Sequence, residues 1–246
     1  MIINNIESKT IDYKDLKTEL CELGKKYGTD KSPYNNKSFV HGGIGHRHPY
    51  TCFYDELFNT IKNNKLKILE IGLLFGDSIK CWREYFKNSQ IIGLDHTEQA
   101  KHIITSLNNT TFDLVNVCNE KSIINIFEKY GPFDIIIDDA SHKFNDQINV
   151  INHAYKYLNN NGYLIIEDIF ENKDIFMKYN KEKYKNMTYF SQEDIDLADK
   201  VTIEELYYIK IKNIIKNYTD SCFYTLRHNN TYTPGWNNNK LLVFKK

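Results

Sequence analysis

Two acids, a serine and a histidine follow a run of three isoleucines in the segment IIIDDASH, residues 135–142. The isoleucines predict a buried strand, which Asp138 and Asp139 end. A second apolar segment, YLIIED, ends in Glu167 and Asp168. Carboxylates that meet in a core are costly unless protons or a cation neutralise them, and an all-oxygen ligand set favours a hard divalent ion. If the two strand ends are neighbours, the four acids predict a magnesium site.

His142 lies three residues after Asp139, where an imidazole can face the same edge and accept a proton. The alternative is that Asp139 and Ser141 only cap the helix predicted from residue 145, with His142 packed at its start. A hydrolase triad of Asp139, Ser141 and His142 is disfavoured, because side chains so close in sequence point in divergent directions. The chain also lacks a G-x-S-x-G motif.

Apolar segments of strand length alternate with amphipathic segments from Lys67 onward, which predicts a parallel sheet covered by helices on both faces. In such sheets ligands bind beyond the carboxyl ends of the strands. The predicted strands are 67–72, 90–95, 110–117, 133–138, 163–168, 222–228 and 240–246. The predicted helices are 77–86, 97–107, 120–130, 145–159 and 202–217, and the segment NNNG at 159–162 is predicted as a turn.

This pattern divides the chain into two parts. We expect residues 1–62 to form an N-terminal helical extension, interrupted by a loop at 28–49. Residues 63–246 should form a Rossmann-like α/β domain with a substrate-side insertion at about 170–220, a polar stretch of weak periodicity.

The composition excludes several classes of partner. The 246 residues contain 32 basic and 32 acidic side chains, so no global field favours nucleic acid or an anionic membrane. Five widely spaced cysteines without a C-x-x-C pair indicate neither a zinc site nor a disulfide framework. The N-terminus lacks a basic region followed by an apolar stretch, and the apolar runs are too short to span a bilayer. We therefore expect a cytoplasmic protein; the sequence is compatible with a homo-oligomer.

A glycine-containing turn, LEIGLLFGDS at 69–78, follows the first predicted strand. Gly72 and Gly76 would let the backbone turn tightly and approach a ligand, and Asp77 or Ser78 would cap the next helix. The spacing E-x-G-x-x-x-G is not the dinucleotide pattern G-x-G-x-x-G, which disfavours a nicotinamide oxidoreductase, and Glu70 favours a cationic ligand. The alternative is that the glycines serve the turn alone.

The turn and Asp95, which ends the second predicted strand, together resemble the cofactor motifs of class I S-adenosylmethionine-dependent methyltransferases. The resemblance implies that the turn faces the methionine part of S-adenosylmethionine and that Asp95 holds the ribose. Asn116 stands near the position of the family's adenine-side acid, and the last two predicted strands match the family's reversed final hairpin. The predicted cofactor-binding residues are Glu70, Gly72, Gly76, Ser78, Asp95, Asn116 and Asp138.

Four further segments resemble the macrocin and mycinamicin sugar O-methyltransferases: DDASH, the Glu-Asp pair, YGTDKS at 27–32 and HPYTCFYDELF at 48–58. The resemblance implies that Asp139, Glu167 and Asp168 hold Mg²⁺ and that His142 is the base. It also implies an N-terminal flap over the cofactor or substrate. The expected function is O-methylation of a sugar hydroxyl on a small molecule or glycan.

Two alternatives remain open. The first is a metal-dependent O-methyltransferase of a catechol-like molecule. Such enzymes resemble this sequence in carrying metal-binding acids at the ends of the same strands, but they have a lysine where His142 stands. The second is a non-catalytic nucleoside-binding module. Aromatic residues of the predicted acceptor wall are Tyr179, Tyr184, Tyr189, Phe190 and Trp236, none of which is assigned as a contact.

Overall fold

The computed structural model describes residues 2–3, 6–37, 45–183 and 187–246. The strands in this part of the chain are β1 (Ile2–Ile3), β2 (Ile6–Asp12), β3 (Lys67–Ile71), β4 (Gln90–Asp95), β5 (Thr110–Leu114), β6 (Phe133–Asp138), β7 (Leu158–Ile169), β8 (Asp220–Arg227) and β9 (Lys240–Lys245). The helices are α1 (Glu19–Tyr27), α2 (Tyr50–Phe58), α3 (Asp77–Tyr85), α4 (Lys101–Thr105), α5 (Glu120–Tyr130), α6 (Phe144–Ala154), α7 (Lys173–Lys181), α8 (Gln192–Ala198) and α9 (Ile203–Ile215).

The described strands form a single sheet in the order β1-β2-β8-β9-β7-β6-β3-β4-β5. The strands from β3 to β7 are mutually parallel where they pair, and β9 runs antiparallel to both β7 and β8. This confirms the predicted mostly parallel sheet with a reversed last strand. It also places β6 beside β7, so the two acid pairs lie at adjacent strand ends.

The sheet is buried on both faces, as its apolar strands require. Leu69 and Ile71 of β3 pack in one core with Phe144 of α6, whereas Ile68 packs in a second core with Trp82 of α3. Because successive side chains of a strand point to opposite faces, β3, β4, β6 and β7 each contribute to both cores.

The N-terminal segment differs in part from the expected helical extension. Helices α1 and α2 are present, but the chain begins with strands, and β2 pairs parallel to β8 from Glu7 with Cys222 to Asp12 with Arg227. The edge of β8 offers backbone N–H and C=O groups that need partners, and β2 supplies them.

The segment NNNG is part of β7 and not a separate turn. The pairing of β6 with β7 shifts register between Phe133 and Ile135, and Asn161 adopts a φ of 63° within this irregularity. The predicted turn therefore corresponds to a distorted strand, because the Asn161 amide hydrogen-bonds the carbonyl of Lys246 and keeps the segment paired.

In the described part of the chain no helix is long and apolar enough to cross a membrane.

Gly72 joins the exit of β3 to the exit of β6. Its φ is +89°, and a Cβ built on it would lie 2.1 Å from the Asp139 carbonyl oxygen. The Asp139 amide donates to the Ile71 carbonyl at 2.8 Å, so the two strand exits are held in direct backbone contact. Only glycine fits this position, both for its conformation and for its space.

Replacement of Gly72 by alanine should lower the free energy of unfolding by about 3 kcal/mol or more, because conformational strain adds to a backbone clash. The matched control is Gly235→Ala. Gly235 has a φ of +79°, but a Cβ added there would meet no atom of the described residues within 4 Å. That control should cost only the strain, about 1 kcal/mol. Urea denaturation measures both; equal losses would mean that the close approach is unimportant.

Candidate active site

A cavity of about 680 Å³ opens at the carboxyl ends of the central strands. Its wall includes the glycine turn, Asp95 at the end of β4, residues 139–142 after β6, and Asp168 near the end of β7. Residues 28–31 of the N-terminal segment also line it, together with Asn35 and Lys37. The cavity therefore lies at the predicted edge of the sheet, and part of the predicted flap covers it.

Carboxylates from three strands gather beside this cavity. Glu70 comes from β3, Asp139 follows β6, and Glu167 and Asp168 lie at the end of β7. Glu70 and Glu167 are almost wholly buried, whereas the Asp139 side chain retains 22% exposure. The convergence arises because parallel strands bring their carboxyl ends to the same edge.

Lys31 enters this acid cluster from the N-terminal segment. Its Nζ lies 2.5 Å from Asp139 Oδ2, 2.6 Å from Glu167 Oε2 and 3.4 Å from Glu70 Oε1. Burial alone would lower the pKa of Lys31, but its three carboxylate neighbours outweigh burial and raise that pKa well above its usual value. The ammonium group thus stays charged inside the protein.

Two tyrosines of α2 reach the acids of β7. Tyr54 donates to Glu167 Oε1 at 2.5 Å, and Tyr50 donates to Asp168 Oδ1 at 2.5 Å. They are four residues apart, so one face of the helix presents both hydroxyl groups. Burial raises the pKa of Glu167 well above its usual value. Asp168 behaves differently: burial raises its pKa, but nearby histidines and the Tyr50 hydrogen bond outweigh that effect and lower it.

Asp139, His142 and Asp168 form the part of the cluster that faces the cavity. One potential ligand atom from each lies within 4.8 Å of the others. His142 Nδ1 is 3.9 Å from Asp139 Oδ1, and His142 Nε2 is 3.6 Å from Asp168 Oδ2. Within the described residues, His142 Nδ1 is buried without a hydrogen-bond partner. Two carboxylates and an imidazole with one unsatisfied nitrogen are a set of groups that fits a divalent ion or a proton-accepting base.

The backbone is strained at two of the three residues that face the cavity. His142 has a φ of 54° and Asp168 a φ of 58°, and Asp168 lies where the pairing of β7 with β9 shifts register. Residues other than glycine rarely adopt positive φ, and such outliers concentrate at functional sites. Both side chains are thus aimed by an unusual backbone conformation.

The glycine turn positions α3 and Glu70. Gly76 precedes α3 with a φ of 75°, and no side chain caps the helix, so the predicted cap by Asp77 or Ser78 is wrong. Ser78 instead donates to Glu70 Oε2 at 2.9 Å, as does Trp82 Nε1 at 3.0 Å. Hydrogen bonds from the first turns of α3 therefore orient the Glu70 carboxylate.

Asp95 and Asn116 lie on the cavity wall as predicted cofactor residues should. Asp95 Oδ2 accepts from the Leu73 amide at 2.9 Å, and Oδ1 accepts from the Thr97 amide at 2.9 Å. These bonds fix the carboxylate at the rim of the cavity. Oδ1 also accepts from Thr97 Oγ1 at 3.2 Å, so it is Oδ2 that retains a further lone pair for a ligand hydroxyl.

Three other predicted cofactor residues are not among the described residues that line the cavity. Glu70 lies behind the glycine turn against Lys31, and Gly76 forms the turn itself. Asp138 is 3% exposed and accepts from the Ala140 amide at 3.3 Å. Gly72 and Ser78, by contrast, are on the wall. The roles assigned to all of these residues stay predictions.

The structure gives no support to the helix-capping and hydrolase alternatives. Helix α6 follows Lys143 without a side-chain cap, so Asp139 does not cap it. Ser141 donates to Asp146 Oδ2 at 2.5 Å and accepts from the Lys143 amide, which directs its hydroxyl group into α6.

The predicted acceptor wall is divided. The rings of Tyr179 and Trp236 meet edge to face with their centroids 5.2 Å apart, and the ring centroid of His46 lies 6.2 Å from that of Trp236. Phe190 is a core residue, Tyr189 is exposed, and Tyr184 lies outside the described residues.

The sequence placed Lys31 and Tyr50 in the predicted flap but did not indicate that they contact the strand-end acids. It gave Tyr54, which donates to Glu167, no role. The available signal was the i, i+4 spacing of Tyr50 and Tyr54 on a predicted helix.

Glu70 should make stability depend on pH. Burial raises its pKa from 4.5 to about 7 despite the opposing charge of Lys31. Between these values the folded state binds more protons than the unfolded state, so stability falls as pH rises from about 4.5 to about 7. Glu70→Gln cannot titrate and should reduce this decline, on the order of 2 kcal/mol.

Denaturant unfolding at pH 5 and pH 8 measures the difference. Asp113→Asn is the control. Burial raises the pKa of Asp113, but hydrogen bonds from Lys129 and its neighbours outweigh burial and lower that pKa. Asp113 should therefore affect the pH dependence of stability only in more acidic solution. A decline in Glu70→Gln as steep as in the unmodified protein would contradict the assignment.

Known proteins share this sequence pattern and fold. Residues 69–169 match the family model described as a methyltransferase domain. Demethylmacrocin O-methyltransferase of Streptomyces fradiae is 30% identical over 161 residues, which cover 62% of this chain and 37% of that enzyme. Mycinamicin VI 2''-O-methyltransferase of Micromonospora griseorubida is also 30% identical over 161 residues, covering 62% of this chain and 36% of that enzyme. The matched region is thus little more than a third of each curated relative.

A solved structure extends the likeness over nearly the whole chain. It is the MycE methyltransferase from the mycinamycin biosynthetic pathway in complex with Mg and SAH, with a TM-score of 0.60 and 20% identity. The alignment covers 94% of this chain and 55% of that chain. At this identity the likeness shows the fold alone. Residues 69–169 thus match a methyltransferase domain, and the chain is similar to macrocin- and mycinamicin-type sugar O-methyltransferases.

Proposed function

We propose that the chain is an S-adenosylmethionine-dependent and Mg²⁺-dependent O-methyltransferase that acts on a sugar hydroxyl. The observation that carries the proposal is the convergence of Asp139, Asp168 and His142 on a cavity that also holds the glycine turn and Asp95. A methyl donor and a hydroxyl acceptor need these two kinds of site side by side.

The cavity wall suits the donor. The backbone at Gly72 approaches the cavity without a side chain, and Asp95 offers carboxylate oxygens to ribose hydroxyls. Asn116 lies between the buried residues Val115 and Val117 on the same wall, an arrangement that suits a flat base with polar edges. The excess of carboxylates at the cavity favours the positive charge of a sulfonium.

Asp139 and Asp168 would hold the magnesium ion. One carboxylate oxygen of each residue lies within 4.8 Å of the other and of a ring nitrogen of His142. Oxygen ligands suit this ion. When bound, the ion would supply Lewis acidity and orient the acceptor through its hydroxyl groups. Glu167, the third predicted ligand, is turned toward Lys31 and Tyr54 in this structure.

His142 would accept the proton of the acceptor hydroxyl as its oxygen takes the methyl group. His142 Nδ1 lies 3.9 Å from Asp139 Oδ1, and His142 Nε2 lies 3.6 Å from Asp168 Oδ2. The methyl moves from sulfur to oxygen and the proton moves to His142, so the acceptor ends as a neutral ether.

Residues 1–62 would act as a flap, and residues 63–246 as the methyltransferase domain, with the segment at about 170–220 on the substrate side. Support comes from the contacts of residues 28–31 with the cavity and of Lys31 with the acid cluster. Such a cover would exclude water from the transferring group. The names of the two curated relatives support a sugar-bearing small molecule as the acceptor class.

A methylation assay tests the proposal directly. We expect S-adenosylhomocysteine release with glycosylated small molecules that carry neighbouring hydroxyls, and a loss of about 100-fold or more when EDTA replaces Mg²⁺. Transfer to catechols alone would favour the catechol-type alternative. Donor binding by calorimetry without transfer to any acceptor would favour the nucleoside-binding module, and turnover that ignores the chelator would contradict the metal.

The role of His142 is tested by His142→Asn, because asparagine tolerates the positive φ at this position. Loss of the base should lower kcat by about 100-fold or more while donor binding and the unfolding midpoint stay close to those of the unmodified protein. His102→Asn on the surface of α4 is the matched control. A fully active His142→Asn enzyme would rule out this base.

A further inference from the structure

The acid cluster already contains a cation of the protein's own. Lys31 is the residue that supplies it, and its side chain is only 3% exposed. An ammonium group has three N–H donors, and the structure places three carboxylate oxygens around this one. Because these oxygens come from three strands and the lysine from the N-terminal segment, Lys31 ties four separate parts of the chain to one point.

The cluster is divided into two halves by Asp139. Its Oδ2 contacts Lys31, whereas its Oδ1 faces His142. On the Lys31 side lie Glu70 and Glu167, which are shut off from solvent. On the other side lies Asp168, which lines the cavity. The Lys31 half is therefore held by ion pairs within the protein, although Glu70 Oε1, 3.4 Å from Lys31 Nζ, has no hydrogen-bond partner among the described residues. The other half faces the cavity.

Glu167 is fully engaged on the closed side. Its Oε2 accepts from Lys31 at 2.6 Å and its Oε1 accepts from Tyr54 at 2.5 Å. A divalent ion that used Glu167 would have to displace an ammonium group already at hydrogen-bond distance. The open half requires no such displacement, since its ligand atoms already lie within 4.8 Å of one another.

We propose that Lys31 is a positioning residue that acts as a built-in monovalent cation: it neutralises Glu70 and Glu167 and confines divalent-ion binding to one ion beside Asp139 and Asp168. The inference rests on the proposed function only for the presence of a divalent ion at this edge. It goes further by assigning Glu167 to Lys31 and by giving the YGTDKS segment an electrostatic role. Lys31 also lowers the affinity for the divalent ion, because it repels a second positive charge across Asp139.

Mn²⁺ titration by calorimetry tests this inference without donor, acceptor or turnover. The unmodified chain should bind one Mn²⁺ ion. Lys31→Met keeps the length of the side chain but removes its charge, so Mn²⁺ should bind at least about tenfold more tightly. Lys31→Arg should behave like the unmodified chain. Lys26→Met is the control, since Lys26 lies on α1 and pairs with Glu84 at the surface.

The double variant Lys31→Met/Glu70→Gln separates charge from packing and covers the case in which Lys31→Met alone fails to fold. Removing one negative charge with the positive charge should return the Mn²⁺ affinity toward that of the unmodified chain. Unchanged or weaker binding by Lys31→Met, a double variant that binds Mn²⁺ about tenfold or more tighter or weaker than the unmodified chain, or no binding by any variant would overturn the inference. If the variants bind Mn²⁺ as expected but the chain transfers no methyl group to any acceptor, only the proposed function is contradicted.

Discussion

Buried negative charge at one edge of the sheet is the constraint on which this structure depends. Parallel strands bring acids from β3, β6 and β7 together, and carboxylates in such a place repel one another unless they are compensated. The protein uses three means: an ammonium group, tyrosine hydroxyls and bound protons. Lys31 supplies the first and α2 the second, and the raised pKa values of Glu70 and Asp138, each about 7, reflect the third.

This constraint links the N-terminal segment to the sheet. β2 extends the sheet beyond β8, α1 and α2 pack on one face, and Lys31 enters the acid cluster between them. The same segment lines the cavity. Residues 28–31 therefore line the cavity and, through Lys31, contact the acids in one docking arrangement.

The open half of the cluster shows how a rigid framework supports an unfavourable local conformation. His142 and Asp168 both have positive φ, and both face the cavity, whereas the apolar side chains of β6 and β7 beside them are buried. The strain at each residue is of order 1–3 kcal/mol and persists because the packed sheet fixes the backbone on either side. Donor groups held in this way need little rearrangement when a ligand arrives.

The reversed final strand was expected from the family resemblance. The sequence by itself determined the α/β alternation, the glycine turn and the strand-end acids. Each of these follows from local periodicity or from residue types at short spacing. Only the tertiary structure decided that β2 joins the sheet, that Glu70 turns inward and that Lys31 contacts Asp139 across 108 positions of the chain. The physical reason is that a buried charge takes its partner from whatever the packing brings within hydrogen-bond distance, and no local pattern encodes that choice.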